Sequence, residues 1–325
     1  IYTRHLMDIT VHQKDAVNLI IECEKSIAKE LSQYFTFYVP NYQYTPAYKK
    51  KVWDGQIRLF NLFSRTIYVG LLDYINKFAK DRKYTIEVDS DNLQSLEKNK
   101  ISLDDFNDYV TNLNLKLKPH PHQLTATYHS INKNRCLLLS PTGSGKSLII
   151  YMLMRYYFNK ILSDEKILIV VPTIGLVNQM ISDFQQYTND NWSVDENIHA
   201  IFSGQDKKTS KKIVVSTWQS LYNMPNEYFD KFSVVFGDEC HLFKSKSLVA
   251  LMTKIKNAHY RIGTTGTLDG TKTHKLVIEG LFGKVFNVTS TKKLIDKNLL
   301  SDLKINCIKL TYNQDICNEN KRLPY

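Results

Sequence analysis

The chain has 325 residues, 43% of them apolar and 12% aromatic, which is enough for two cores and excludes a disordered polypeptide. No apolar run approaches the roughly 18 residues of a membrane span, since "ILIVV" at 167–171 has only strand length. The net charge of +11 is uneven, with 17 Lys/Arg against 15 Asp/Glu in residues 1–118 and 26 against 17 beyond them. An excess concentrated in one part points to a polyanionic partner, most simply nucleic acid; a basic surface with no such partner is the alternative.

In chain order, residues 1–6 precede the first methionine and read equally as native or added sequence. From Met7 the pattern is that of a small α+β unit. "DITVH" and "VNLIIEC" alternate like strands, and "EKSIAKELSQYF" places Ile27, Leu31 and Tyr34 at helical spacing. "KVWDGQIRLF" carries Asp54-Gly55 between β-rich flanks, a hairpin signal. "TIYVGLL" reads as a strand and "LDYINKFAKDRKY" as a helix. A polar stretch from Asp89 to about Asn114 marks a boundary. Past Pro119 the texture changes. Strands are expected at "RCLLLS", "KILIVVP", "HAIFS", "KIVVS", "SVVFGD" and "YRIGT", with helices at "KSLIIYMLMRYYFN" and "GLVNQMISDFQQY". Apolar strands alternating with helices imply a doubly wound parallel sheet, so the fold class is α/β with a small α+β domain in front. The expected division is 1–88 accessory domain, 89–114 linker, 115–290 nucleotide-binding lobe and 291–325 connector with the start of another lobe. Five irregularly spaced cysteines (Cys23, Cys136, Cys240, Cys307, Cys317) exclude a disulfide framework and a zinc module. With no signal-peptide pattern at the first residues, they point to the cytoplasm.

"CLLLSPTGSGKSLIIYM", 136–152, follows an apolar strand and opens a helix, the setting of a phosphate-binding loop. The strict G-x-x-x-x-G-K-[ST] pattern wants glycine where Ser140 stands. Even so, Gly143 and Gly145 let backbone N–H groups face phosphate oxygens, and the helix dipole points there. Thr142, Gly143, Ser144, Gly145, Lys146 and Ser147 are therefore the expected ATP-binding residues, with Lys146 on the β- and γ-phosphates and Ser147 on Mg²⁺. "SVVFGDECH" supplies the acidic partner. Asp238 would hold the metal and Glu239 would polarise the attacking water, making Lys146, Asp238 and Glu239 the catalytic set. Cys240 reads as a small packing residue.

Together these residues resemble the first RecA-like lobe of superfamily 2 helicases. In that family the first loop glycine is replaced by a small residue, so Ser140 fits. "GDECH" resembles the DExH box, "VVPTIGLVNQM" motif Ia (Pro172, Thr173, Leu176) and "VSTWQSL" motif Ib (Thr217). "GTTGTL" looks like motif III, usually S/T-A-T, here with Gly266 between Thr265 and Thr267. "LKPHPHQ" resembles the glutamine motif, pointing to Gln123 and His120 beside the base. Six motifs run in order over about residues 117–268. The resemblance implies nucleotide coupling through His241, Thr265 and Thr267, and phosphate contacts from Pro172, Thr173 and Thr217.

Most of residues 7–88, through "MDITVH", "FYVPNYQYTP" and "WDGQIRLF", is similar to the accessory domain of phage UvsW-type recombination helicases. That resemblance implies an ATP- and Mg²⁺-using helicase on branched or forked DNA, acting in recombination, repair or replication, monomeric, and in the host-cell cytoplasm if phage-encoded. "YKKKVWDGQIR" (48–58) interleaves Lys49, Lys50, Lys51, Trp53 and Arg58. Lysines suit phosphates and tryptophan suits an exposed base, against a packed Trp53 among solvated lysines. "DKKTSKK" (206–212) reads as a solvated loop. "FNVTSTKKLIDKNLLSDLKINCIKLTY" looks like the exit from lobe one and the start of lobe two. No Q-x-x-G-R-x-x-R arginine motif is present, so weak nucleotide binding and poor hydrolysis are expected of this chain. An RNA helicase built on the same lobes and a nucleotide-switched DNA-binding module are the competing functions. A restriction-type translocase would need a nuclease carboxylate cluster that the sequence does not offer.

Overall fold

The computed structural model describes residues 7–89, 100–189, 192–202, 206–268, 270–302 and 306–309. Residues 1–290 cluster as one unit and 291–325 as a second, whose described part holds one helix, Thr291–Asp296. Ile1–Leu6 and Cys317 lie outside the described residues.

The chain opens with strands β1 (Ile9–Gln13) and β2 (Asn18–Cys23), helix α1 (Lys25–Tyr34), strand β3 (Thr36–Tyr38) and a short helix α2 (Pro46–Lys49). Strands β4 (Gln56–Arg58) and β5 (Thr66–Tyr68), helix α3 (Leu72–Arg82) and strand β6 (Ile86–Val88) complete this part. Its main sheet runs β5-β2-β1-β6, antiparallel except between β1 and β6. Period-two alternation buries Ile9, Val11, Leu19 and Ile21 on one face. Ile27 and Leu31 of α1 and Ile75 and Phe78 of α3 join the same core at helical spacing.

Two details differ from the sequence expectation, each for a tertiary reason. Asp54-Gly55 does not close a local hairpin. Pro46 to Lys49 form a helical turn, Lys51 follows at φ 57°, and β4 pairs instead with β3 across the seventeen residues of that excursion. In "TIYVGLL" only Thr66–Tyr68 is strand. Val69–Leu71 bend into a 3₁₀ turn at Gly70, where a Cβ would sit 2.0 Å from the carbonyl oxygen of Glu279, so the backbones approach too closely for a side chain.

The larger sheet has seven parallel strands: β7 (Arg135–Leu139), β8 (Lys166–Val171), β9 (Ile198–Ile201), β10 (Ile213–Thr217), β11 (Phe232–Gly237), β12 (Tyr260–Thr265) and β13 (Val285–Asn287). Their spatial order is β13-β7-β12-β11-β8-β10-β9. The first six of these strands in chain order were expected. β13 was not, because three residues after Gly283 carry too little pattern to register alone. Helices α4 (Leu103–Asn112), α5 (Pro121–Lys133), α6 (Lys146–Phe158), α7 (Ile174–Tyr187), α8 (Val194–Asn197), α9 (Trp218–Tyr222), α10 (Lys246–Lys254) and α11 (Lys272–Phe282) accompany it. The α4 helix falls inside the stretch expected to link the two parts. Ser102 caps it through the Asp105 N–H, and Phe106 is buried with the large-sheet core. α6 is buried from Leu148 to Tyr157, which explains its apolar sequence with no polar stripe.

The two sheets are tied together by buried polar groups. Ala16 donates its N–H to the Lys256 carbonyl at 2.8 Å and accepts at its own carbonyl from the Arg135 guanidinium. Within the large-sheet part Arg261, fully buried, donates to the carbonyls of Leu281, Ile255 and Met252 at 2.8–2.9 Å. Tyr74 donates to the buried Glu279 carboxylate at 2.6 Å. Leu137 and Leu168 of the large sheet lie in one continuous apolar cluster with Ile9 and Phe78 of the small one.

Candidate nucleotide site and nucleic-acid surfaces

Ligands of open parallel sheets sit beyond the carboxyl ends of the strands, and the candidate residues fall there. The loop after β7 turns through Gly143 (φ 79°) and Gly145 (φ 78°), conformations that side chains resist, and Lys146 starts α6. Ser140 is fully buried, and its role is positional. Its N–H donates to the Thr265 carbonyl at 2.9 Å. Its hydroxyl donates to Ser144 Oγ at 2.6 Å, and Ser144 in turn donates to the Pro141 carbonyl. A glycine at 140 would supply none of the side-chain bonds that fasten the loop.

A second set of groups holds the loop from behind. Gln123 Nε2 and His122 Nε2 both donate to the Ser144 carbonyl at 3.0 Å, while Gln123 Oε1 accepts from the His120 N–H at 2.8 Å. Gln123 is buried, with both ends of its amide bonded within the protein. His120 is exposed and stacks on His122 at 5.7 Å. A Cβ on Gly145 would lie 2.1 Å from Gln123 Nε2, so glycine is required there twice over.

The acidic residues follow β11. Asp238 is almost fully buried and accepts a 2.6 Å hydrogen bond from the Thr264 hydroxyl. Burial pushes its carboxyl up from the usual range and the neighbouring Glu239 charge adds to this, against the pull of Thr264. Glu239 adopts a left-handed backbone (φ 50°, ψ 50°), a strained position for a non-glycine residue. Its carboxylate lies 3.5 Å from Lys146 Nζ and 3.3 Å from His241 Nδ1. His241 Nδ1 donates to Thr265 Oγ1 at 3.2 Å, and Thr265 Oγ1 donates to the Thr267 carbonyl at 2.9 Å. Lysine, glutamate, histidine, Thr265 at the end of β12 and Thr267 beyond it thus form one chain of contacts, and Ser140 N–H returns it to the phosphate loop. Cys240 is buried and packs against Gly237 and Gly263. Gly266, in place of the usual alanine, has room for one: a Cβ would meet Thr142 and Lys146 only at 3.5–3.7 Å.

Thr142, Gly143, Gly145, Lys146, Ser147, Asp238 and Glu239 line one cavity of 340 Å³ with Leu176, Gln179, Met180 and Asp183 of α7. The oxygen donors on its wall, a hydroxyl and carboxylates, fit Mg²⁺, which binds through one or two carboxylates plus substrate phosphates. Among the described residues no cluster of three or more His, Cys, Asp or Glu could hold a metal ion by itself. Sequence reasoning missed two participants. Thr264, not Thr265 or Thr267, is bonded to Asp238. Tyr187 Oη lies 2.8 Å from Ser147 Oγ. Neither carried a motif of its own.

The expected nucleic-acid residues separate into two places. Pro172 and Thr173 follow β8, and Thr217 ends the neighbouring β10, where it pairs in register with Val171. Thr173 is exposed and caps α7 through the Leu176 N–H at 3.3 Å, whereas Thr217 is nearly buried and bonded to Ser220. Lys49, Lys51, Trp53 and Arg58 line a separate open cavity of 770 Å³ beside the β3-β4 pair with Gln43, Tyr48, Val52 and Asp54. Trp53 is half-buried, its indole N–H held by the Gln56 carbonyl at 2.9 Å, and Arg58 is paired with Asp54. Lys50 is exposed beside them. In the 206–212 stretch Lys211 and Lys212 are not free: they donate to the carbonyls of Asp195, Ile198, Phe158 and Ile161.

A phosphate loop, a buried aspartate and a strained glutamate along one edge of a doubly wound sheet define a RecA-like motor lobe of the helicase type. Comparisons with known proteins carry the assignment further. Residues 8–89 match the family model "DNA helicase UvsW, N-terminal" and residues 116–270 match "Type III restriction enzyme, res subunit". The ATP-dependent DNA helicase uvsW of Enterobacteria phage T4 is 34% identical over 98% of this chain and 64% of its own length. A crystal structure of the UvsW helicase from bacteriophage T4 superposes with a TM-score of 0.78 at 34% identity, covering 86% of this chain and all of that one. A DNA 3′-5′ translocase XPB2 of Sulfurisphaera tokodaii is 28% identical over 55% of this chain. The chain belongs to the UvsW family of superfamily 2 helicases, and it spans 64% of the length of the curated phage relative. No helix among the described residues is long and apolar enough to cross a membrane.

Proposed function

We propose that this chain is the nucleotide-binding part of an ATP-dependent DNA helicase or translocase that acts on branched DNA in recombination, repair or replication. The observation that carries the reading is the unbroken path Lys146–Glu239–His241–Thr265–Ser140, which ties the groups facing a γ-phosphate to the end of β12 and back to the phosphate loop. The accessory unit and motor lobe would occupy 1–88 and 115–290, joined through 89–114 and followed by a connector.

In this reading Gly143, Ser144, Gly145 and Thr142 cradle the phosphates, Lys146 neutralises the β- and γ-oxygens, and Ser147 and Asp238 hold Mg²⁺. The ion would supply charge neutralisation at the phosphates. Glu239, already placed beside Lys146, orients the attacking water, and Gln123 with His120 supports the adenine side. His241, Thr265 and Thr267 report the state of the site at the end of β12. Pro172, Thr173 and Thr217 contact phosphates on one strand, while Lys49, Lys50, Lys51, Trp53 and Arg58 offer a second, basic and aromatic surface.

The test is affinity for forked DNA, linear duplex and single-stranded RNA across a salt series, in the native chain and in Lys49→Ala/Lys50→Ala/Lys51→Ala. Forked DNA should bind tightest, and the triple variant should lose roughly one to three counterions from the salt slope. An unchanged slope removes these lysines as phosphate contacts, and preference for RNA selects the RNA-helicase alternative.

A further inference from the structure

Ser147 stands second in α6, facing the cavity that holds Lys146, Asp238 and Glu239. Its hydroxyl is 2.8 Å from Tyr187 Oη, forty residues away at the last turn of α7. The tyrosine is not placed there by a loose rotamer. Its carbonyl accepts from the Lys116 N–H at 3.1 Å, and its ring meets Tyr151, one helical turn along α6 from Ser147, edge to face at 5.8 Å. The segment that follows is fastened as well, with Asn189 donating to the Asn114 carbonyl at 2.6 Å.

A serine hydroxyl has one proton and two lone pairs. When a lone pair serves a cation, the proton must point away from it to an acceptor, because a proton aimed at the ion is repelled. The Tyr187 oxygen is the hydrogen-bond partner of Ser147 Oγ among the described residues, and it lies where such an acceptor is needed. We propose that Tyr187 is a positioning residue for the metal of the nucleotide site: by accepting the Ser147 proton it turns the serine lone pair toward Mg²⁺. This rests on the reading of Ser147 as a Mg²⁺ contact. Outer-shell partners of this kind change metal affinity by roughly 10–100-fold when removed.

The opposite polarity, with Tyr187 donating to Ser147, would make the phenol a competitor of the ion, so the sign of the effect decides. The experiment is ADP binding to the native chain and to Tyr187→Phe by calorimetry, with and without Mg²⁺, together with Mn²⁺ paramagnetic resonance of the bound ion. Without Mg²⁺ the two proteins should bind ADP equally, showing the site folded. The Mg²⁺ concentration at half effect should rise roughly tenfold in the variant, and the Mn²⁺ signal should weaken in parallel. On a Ser147→Ala background the same change should have no further effect. A midpoint that stays in place or moves to lower Mg²⁺ overturns the proposal. ADP binding by the native chain with no dependence on Mg²⁺ would instead remove the metal reading of Ser147 itself, and the proposal with it.

Discussion

Replacing Thr264 with valine removes one oxygen from the sheet and almost nothing else. The two side chains have the same shape, and β12 is a buried strand that favours a β-branched residue. What is lost is the 2.6 Å hydrogen bond to Asp238, a buried carboxylate whose ionisation burial already opposes. Hydrogen bonds to charged groups are worth about 1.5–3 kcal/mol, so the cost at neutral pH should be about 2 kcal/mol. The bond favours the charged form and therefore holds the native carboxyl lower than it would stand in the variant. The stability difference is complete above the Asp238 titration, which lies above 3.8, and shrinks as pH falls through it. Urea unfolding of both proteins from about pH 8 downward through the Asp238 titration measures this directly. A cost below about 0.5 kcal/mol at the alkaline end, or one that does not narrow toward acid, would refute the idea that Thr264 stabilises a charged Asp238.

Two further expectations follow from the same cavity. Asp238→Asn keeps an acceptor for Thr264 but removes a buried charge from beside Glu239, so thermal unfolding at neutral pH should move up by about 0.5–2 kcal/mol equivalent while Mg²⁺-dependent ADP binding is lost. The two glycines near Lys146 should behave oppositely. Gly145→Ala, strained at φ 78° and 2.1 Å from Gln123, should abolish nucleotide binding in calorimetry, whereas Gly266→Ala, with 3.5 Å of clearance, should bind as the native chain does.

Much of the large sheet was legible because its strands are continuous apolar runs between helical patterns, and Asp238 and Glu239 at a strand end and Lys146 at a helix start sit where local pattern alone places them. The failures share a cause in tertiary contact. Thr264 is one of three threonines in "GTTGT", and which of them faces Asp238 depends on the registry of β12 against β11, which no local pattern states. Tyr187 ends an amphipathic helix as many tyrosines do, and only the packing of α7 on α6 brings it to Ser147. The Asp54-Gly55 pair is a sound turn signal, but β4 found its partner at β3 because the intervening residues fold into their own small excursion. Ser140 was visible as a departure, yet its reason, a hydroxyl relay through Ser144, belongs to the folded loop.

The buried arginines give the sheet a mechanical reading. Arg135 begins β7 and grips the Ala16 carbonyl in the turn between β1 and β2; the same strand ends at Leu139, and Ser140 and the phosphate loop follow. Arg261 stands near the start of β12, anchored to three carbonyls, and the far end of that strand carries Thr264 and Thr265. Each strand is an inextensible rod of about 17–20 Å, clamped at one end and carrying site residues at the other. A pull on the small sheet is therefore delivered, with little give on the way, to the atoms beside the nucleotide cavity. Load on the first and occupancy of the second act in series on β7, while β12 is held from within the large-sheet part.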